Sequence, residues 1–286
     1  MSPAVLVLVI SAAFAHAGWN LLAKEAKGGA GFVWLSGVAG SVLYLPALVI
    51  ALAMDPDGIG WAALGLMAGS GALHSVYFVL LQRGYAVGDL SLVYPLARGT
   101  APLLSTAAAI VILGERPSVL AIIGGAVIVG AVFSLIVRPG DSPREPRGQA
   151  TVFALLTGAA IAAYTLWDKE AVGPVALSPI VYYWGTNLAN VALLTPVMAR
   201  HPEGLRLAWS SSRTQAAGVG ILSPLAYVLI LYALARAPVS YVAPGRETSI
   251  LIATVLGATV LGEGDSRRRV IAAGAILLGV TALALG

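Results

Sequence analysis

Tyr94 to Glu115 reads YPLARGTAPLLSTAAAIVILGE. The stretch is apolar enough to lie in a bilayer, yet it carries Arg98, two prolines (Pro95 and Pro102) and a closing Gly114-Glu115. An arginine inside an apolar span is costly and usually faces a protein interior or a water-filled cavity. The arrangement recurs. Val242 to Glu263 reads VAPGRETSILIATVLGATVLGE, with Arg246 and Gly262-Glu263 each 148 residues beyond Arg98 and Gly114-Glu115. That offset is about half of the 286 residues, so the chain reads as a duplication whose repeated element is a broken, charged helix.

Composition sets the class. Hydrophobic residues make up 58% and charged residues 10%, whereas soluble domains run at about 45–50% and about 25%. With a mean hydropathy of +0.88, the chain lacks the charged surface of a soluble domain and reads as a polytopic membrane protein. Cysteine is absent, which excludes disulfides, thiolate metal sites and a cysteine nucleophile. The net charge of +4 sits in loops and bears on membrane orientation rather than on nucleic acid. No G-x-x-x-x-G-K-[ST] loop marks an ATP-driven pump. His16, His74 and His201 have no H-E-x-x-H spacing and no serine sits in G-x-S-x-G, so neither an enzyme nor a metal or cofactor is expected.

Apolar runs of about 20 residues predict transmembrane helices. Ten are expected, at 3–24, 31–53, 61–84, 90–113, 117–137, 149–168, 179–199, 214–235, 241–261 and 268–285. The polar, proline-rich stretch 138–149, RPGDSPREPRGQ, is the only clear linker. It divides the chain into a first five-helix repeat (1–140), a linker (141–148) and a second five-helix repeat (149–286). Five is an odd number, so consecutive copies enter the membrane from opposite sides. The expected fold is therefore all-α and membrane-embedded, ten helices in two inverted repeats, with solute bound near the midplane between them.

The candidate site residues come from positions that recur. His16, Trp19 and Asn20 share one face of the first helix, and Tyr164, Trp167 and Asp168 occupy the same spacing in the sixth. These stripes fit a shared cavity, while the tryptophans fit interfacial anchors equally well. Trp34 and Pro46 recur as Trp184 and Pro196, and the prolines predict bends. In the third helix Gly65-x-x-x-Gly69 reads as packing. His74 reads either as a neutral, hydrogen-bonded core residue or as a direct participant. Tyr77 has Ser223 and Tyr227 as its counterparts in the eighth helix. Glycines 124, 125, 130, 274 and 279 predict close packing of the fifth and tenth helices on neighbours or on a second copy. Glu247 is the one acid placed well inside an apolar span. It is the expected partner of Arg98 across the repeat interface, the alternative being that both arginines reach out to water. Tyr94 and Arg246 complete the candidate substrate-binding set of His16, Trp19, Asn20, His74, Tyr77, Tyr94, Arg98, Tyr164, Trp167, Ser223, Tyr227 and Arg246.

Two inverted fives, a Gly-Glu closing the fourth helix of each half and a glycine-bearing fifth helix resemble the drug/metabolite transporter superfamily, in particular its EamA-type exporters. The resemblance spans essentially the whole chain. It implies a bacterial inner-membrane transporter working by alternating access and exporting small metabolites, amino acids first among them. Nucleotide sugars and drug-like solutes are the competing substrates. It further implies a small-molecule substrate, a lipid surround, no nucleic acid, and a monomer or a homodimer. Its motif covers Glu115 and Glu263 but not Arg98 or Arg246.

Charge departs from the family pattern in one respect. Three Lys and Arg residues lie on the side of the termini and twelve on the other, so the positive-inside rule places both termini outside, whereas the resemblance implies cytoplasmic termini. The cysteine-free background allows a direct check. An impermeant thiol reagent applied to intact cells is expected to label a cysteine at Gly286 and to miss Ser142→Cys; the reverse pattern restores the family topology.

Overall fold

The computed structural model describes residues 1–24, 26–54, 59–87, 90–136, 147–249, 251–252 and 266–286. Most of the expected linker, Ser142 included, and the second part of the ninth expected helix with Glu263 lie outside the described residues. The described elements are all helices: α1 Pro3–Lys24, α2 Ala30–Leu43, α3 Leu45–Met54, α4 Trp61–Val87, α5 Leu90–Ile112, α6 Val119–Ile136, α7 Arg147–Val172, α8 Pro179–Arg200, α9 Pro202–Arg236, α10 Val239–Gly245 and α11 Ser266–Leu285. Helix is what a lipid-facing chain must form, because only intra-segment bonds can satisfy its backbone there. Among the described residues four helices are by themselves long and apolar enough to cross a membrane, and the pair α2 and α3, bent by 46°, makes a fifth such span.

The bend between α2 and α3 falls at Tyr44, two residues before Pro46. Proline has no N–H to give and its ring crowds the preceding turn. Its expected counterpart Pro196 sits inside α8, which runs on without a break. Two boundaries differ from the sequence reading in ways that matter. Helix α7 continues past 168 to Val172, which carries Asp168 into the body of the helix. Helix α9 begins at Pro202 rather than 214 and is kinked at Ser212 (φ −140°). The expected helices at 179–199 and 214–235 leave 200–213 between them. Pro202 at the first turn and Glu203 beside it are nevertheless helix-start residues, and Leu205 and Ala208 pack on Phe32 and Leu35 of α2. At the kink, the Lys27 amide donates to Ser212 Oγ at 2.9 Å.

Helix α1 packs on α9, and α4 on α7; α2 packs on α9, and α4 on α8; α5 lies along α7, and α6 along α11. The main core joins α1, α8, α9 and α10 around Tyr182, Leu231, Leu234 and Val239. Apolar side chains such as Val7, Phe14, Ile50, Val111, Leu277 and Leu278 stand exposed on the periphery, a surface that suits lipid and not water. The Met1 amine donates to the Ala284 carbonyl at 3.0 Å, and Tyr241 Oη to the Gly286 carbonyl at 3.3 Å. Both termini therefore lie at one end of the bundle.

Glycine sets the α6–α11 crossing. A Cβ on Gly124 would stand 2.7 Å from the Gly279 carbonyl oxygen, and one on Gly279 would stand 2.6 Å from Ile128 Cγ1. These two glycines serve an internal contact. Gly130 and Gly274 face open space. Replacing Gly279 with leucine is expected to lower thermal stability in detergent by about 1–3 kcal/mol through overpacking. Gly130→Leu is expected to leave the melting profile unchanged.

Candidate functional site

The buried charges come first. Arg98 Nη2 of α5 stands 3.2 Å from Glu247 Oε2, with the two side chains 7% and 2% exposed. Glu247 follows α10, so the pair joins one half of the chain to the other, as the spacing of acids predicted. A lone charge at either position would need a partner or water; neither arginine nor glutamate reaches for the surface.

Arg246, the neighbour of Glu247, is placed differently. Its Nη2 donates to Tyr164 Oη at 3.2 Å and its guanidinium carbon lies 5.9 Å from the centre of the Tyr164 ring. Among the described residues no carboxylate lies within ion-pair distance of it. Tyr164 in turn stacks on His74 at 4.1 Å and 24°, and meets Tyr77 edge to face at 6.1 Å. His74 also meets Tyr227 edge to face at 5.3 Å. Aromatic faces from α4, α7 and α9 thus form one wall, with the Arg246 cation on it.

Behind this wall lies Asp168, 1% exposed. Its Oδ1 accepts from Ser70 Oγ at 2.7 Å and from Tyr182 Oη at 2.8 Å, and its Oδ2 accepts from Tyr227 Oη at 2.6 Å. Ser70 Oγ lies 3.3 Å from His74 Nδ1, and the same nitrogen lies 2.9 Å from the Ser70 carbonyl oxygen. One carboxylate therefore gathers α4, α8 and α9 onto α7.

The first-helix stripe forms a unit of its own. Trp19 Nε1 donates to His16 Nδ1 at 3.2 Å and Asn20 Nδ2 to the His16 carbonyl at 2.7 Å. All three are half-buried. Ser223 is half-buried one turn before Tyr227 on α9. The Tyr94 side chain lies outside the described residues. Trp167 is not part of the wall. It is 40% exposed, donates from Nε1 to the Leu66 carbonyl at 2.8 Å, and lays its ring 2.5 Å from where a Cβ on Gly69 would stand. Of Gly65-x-x-x-Gly69 only Gly69 makes a close approach, since nothing lies near Gly65.

Three polar contributors were missed from sequence: Ser70, Tyr182 and the role of Glu115. The Glu115 carboxylate accepts from the backbone amides of Val239 (2.6 Å) and Ser240 (2.9 Å), at the start of α10. Gly114 explains the pairing of glycine with glutamate. Its φ is +67°, a left-handed turn that glycine adopts without strain and that aims the next side chain across the halves. Close by, Lys169 Nζ donates to the carbonyls of Leu234 (2.6 Å) and Ala237 (3.0 Å), closing the end of α9.

Comparison with known proteins agrees with this architecture. Residues 149–285 match the model of the EamA-like transporter family. The second half of the chain thus resembles an EamA-like transporter domain, and its long apolar helices mark the chain as an integral membrane protein. A protein of known crystal structure, 17% identical, superposes with a TM-score of 0.80 over 100% of this chain and 98% of that one; the fold is shared. No curated protein matches the chain.

Removing one member of the central pair leaves a buried charge, at about 3–5 kcal/mol. Arg98→Met and Glu247→Met are each expected to depress folded yield and melting temperature steeply, and the double variant to recover much of the loss. Additive damage would mean that the two side chains do not act as a pair. Glu115→Ala, which strips two charge-assisted bonds from backbone amides, is expected to cost about 1.5–3 kcal/mol in the same melts.

Proposed function

We propose that the protein is a secondary transporter built as two inverted five-helix repeats, 1–140 and 149–286 about the linker 141–148, that exports amino acids or similar small zwitterions by alternating access. The packing supports the inversion. Exchanging the halves turns α1 into α7, α2 with α3 into α8, α4 into α9 and α6 into α11. The α1–α9 contact then becomes α7–α4, α2–α9 becomes α8–α4, and α6–α11 maps onto itself.

The observation that carries the substrate reading is the contrast between the two arginines. Arg98 is neutralised by Glu247, whereas Arg246 has a hydroxyl and an aromatic face but no carboxylate among the described residues. A guanidinium held this way offers its remaining donors to the carboxylate of a solute. The walls of Tyr77, Tyr164, His74 and Tyr227, with Ser223 one turn away on α9 and His16, Trp19 and Asn20 on α1, take varied side chains by area and stacking. A polyanionic solute such as a nucleotide sugar calls for several cations together, and with Arg98 on Glu247 the deep cation left among the described residues is Arg246. Small solutes are therefore the better fit.

Uptake of labelled amino acids into proteoliposomes tests the reading. Arg246→Gln is expected to raise KM at least about tenfold, the loss of one charge-assisted contact of about 1.5–3 kcal/mol, and Arg246→Lys to restore part of it. Tyr77→Ala is expected to weaken uptake, and Trp167→Ala to leave it near wild type. Flux indifferent to Arg246 sinks the site, and no flux of any amino acid sinks the substrate class.

A further inference from the structure

The carboxylate of Asp168 is 1% exposed, yet every partner it has among the described residues is a neutral hydroxyl: Ser70, Tyr182 and Tyr227. A buried carboxylate without a cation is held in its ionised form only by such donors. We propose that Asp168, with Ser70 and His74, is a proton-binding site, and that the proton it takes up rearranges the hydroxyls by which α4, α8 and α9 grip α7. The proposal rests on the transporter reading, for which it would supply the coupling ion.

The geometry accommodates both protonation states. Ionised, Asp168 accepts three hydrogen bonds. Protonated on Oδ2, it still accepts from Ser70 and Tyr182 at Oδ1 and donates to Tyr227 Oη across the same 2.6 Å. Tyr227 then changes from donor to acceptor and its hydrogen turns elsewhere, with Ser70 Oγ within reach at 3.4 Å. No heavy atom of Asp168 need move. What changes is the bond from α9, one of the helices on the aromatic wall.

A route reaches the buried group. His74 is half-buried, its Nδ1 is 3.3 Å from Ser70 Oγ, and Ser70 Oγ is 2.7 Å from Asp168 Oδ1. A proton taken by His74 Nε2 is matched by one passing from Nδ1 to Ser70 Oγ, as the Ser70 hydrogen moves to Asp168. His74 ends as the other neutral tautomer and Asp168 as the acid, from which rotation of the carboxyl group or exchange through Tyr227 reaches the Oδ2 form. The groups that face this centre are Ser70 and His74 from α4, Tyr182 from α8, Tyr227 from α9 and Tyr164 from α7 itself. Beyond the rings stands Arg246, at the hydroxyl and ring of Tyr164. Arg98 of α5 is closed on Glu247, and Lys169 is committed to the α9 carbonyls.

The test uses the full chain in lipid vesicles with protons as the only ligand. Infrared difference spectra between alkaline and acidic buffer, without solute, are expected to show, apart from the broad absorption of the exposed carboxyls, a narrow C=O band of one buried protonated carboxyl growing on acidification. The band should be absent in Asp168→Asn and present in Glu115→Gln. Should Asp168→Asn fail to fold, Tyr227→Phe is the second variant, expected to keep the band and displace its titration midpoint. A band that persists in Asp168→Asn, one unmoved by Tyr227→Phe, or an Asp168 carboxylate that never titrates in folded protein overturns the proposal. Because no solute is present, absence of this band leaves the transport reading standing, and absence of amino-acid flux leaves the proton site standing.

Discussion

The Arg98–Glu247 pair is the constraint on which the rest of the structure depends. A guanidinium and a carboxylate meet at 3.2 Å in the middle of an apolar bundle, one from each half of the chain. Neither charge is stable there alone, so the two halves must come together in the one register that joins them. That register also fixes the neighbouring Arg246. With Glu247 turned to Arg98, the adjacent arginine is left to point at Tyr164 and the aromatic wall. A structural charge and an available charge thus arise from consecutive residues.

The second organising centre is equally buried and neutral in its donors. Asp168 collects Ser70, Tyr182 and Tyr227, while Tyr164 stacks on His74 and Tyr227 meets the same ring edge to face in front of it. The same side chains therefore serve both the wall and the carboxylate. A change in the hydrogen bonding of Tyr227 is felt at the wall without any intermediate element. At the terminal side of the bundle, Glu115 and Lys169 bind backbone groups on either side of Pro238, where α9 gives way to α10. They anchor the short helix that leads to Arg246 and Glu247.

Much of this was legible in the sequence, for identifiable reasons. Apolar run length determines helix existence in a bilayer, so nearly all expected helices coincide with observed ones. The 148-residue recurrence of Arg and Gly-Glu located the charged elements, and the scarcity of acids inside apolar spans singled out Glu247 as the partner of Arg98. Asp168 shows the limit of such counting. The expected sixth helix ends at 168, with Asp168 as its last residue; α7 runs to Val172, and the same residue is an interior carboxylate. A four-residue boundary shift changed its chemistry.

By itself, the sequence determined the membrane class, the helices and the identity of the central ion pair, because each follows from composition or spacing along one chain. Only the tertiary structure decided which residues from different helices share a partner. Helical spacing puts Trp167 and Asp168 on adjacent positions but cannot say that one turns to the periphery and Gly69 while the other turns to Ser70 and Tyr182. Nor can it say that Glu115 bonds to backbone amides 124 and 125 residues away. Those choices depend on rotation and crossing of neighbouring helices. Close contacts between small residues and buried hydrogen bonds decide them, and neither has a period in the sequence.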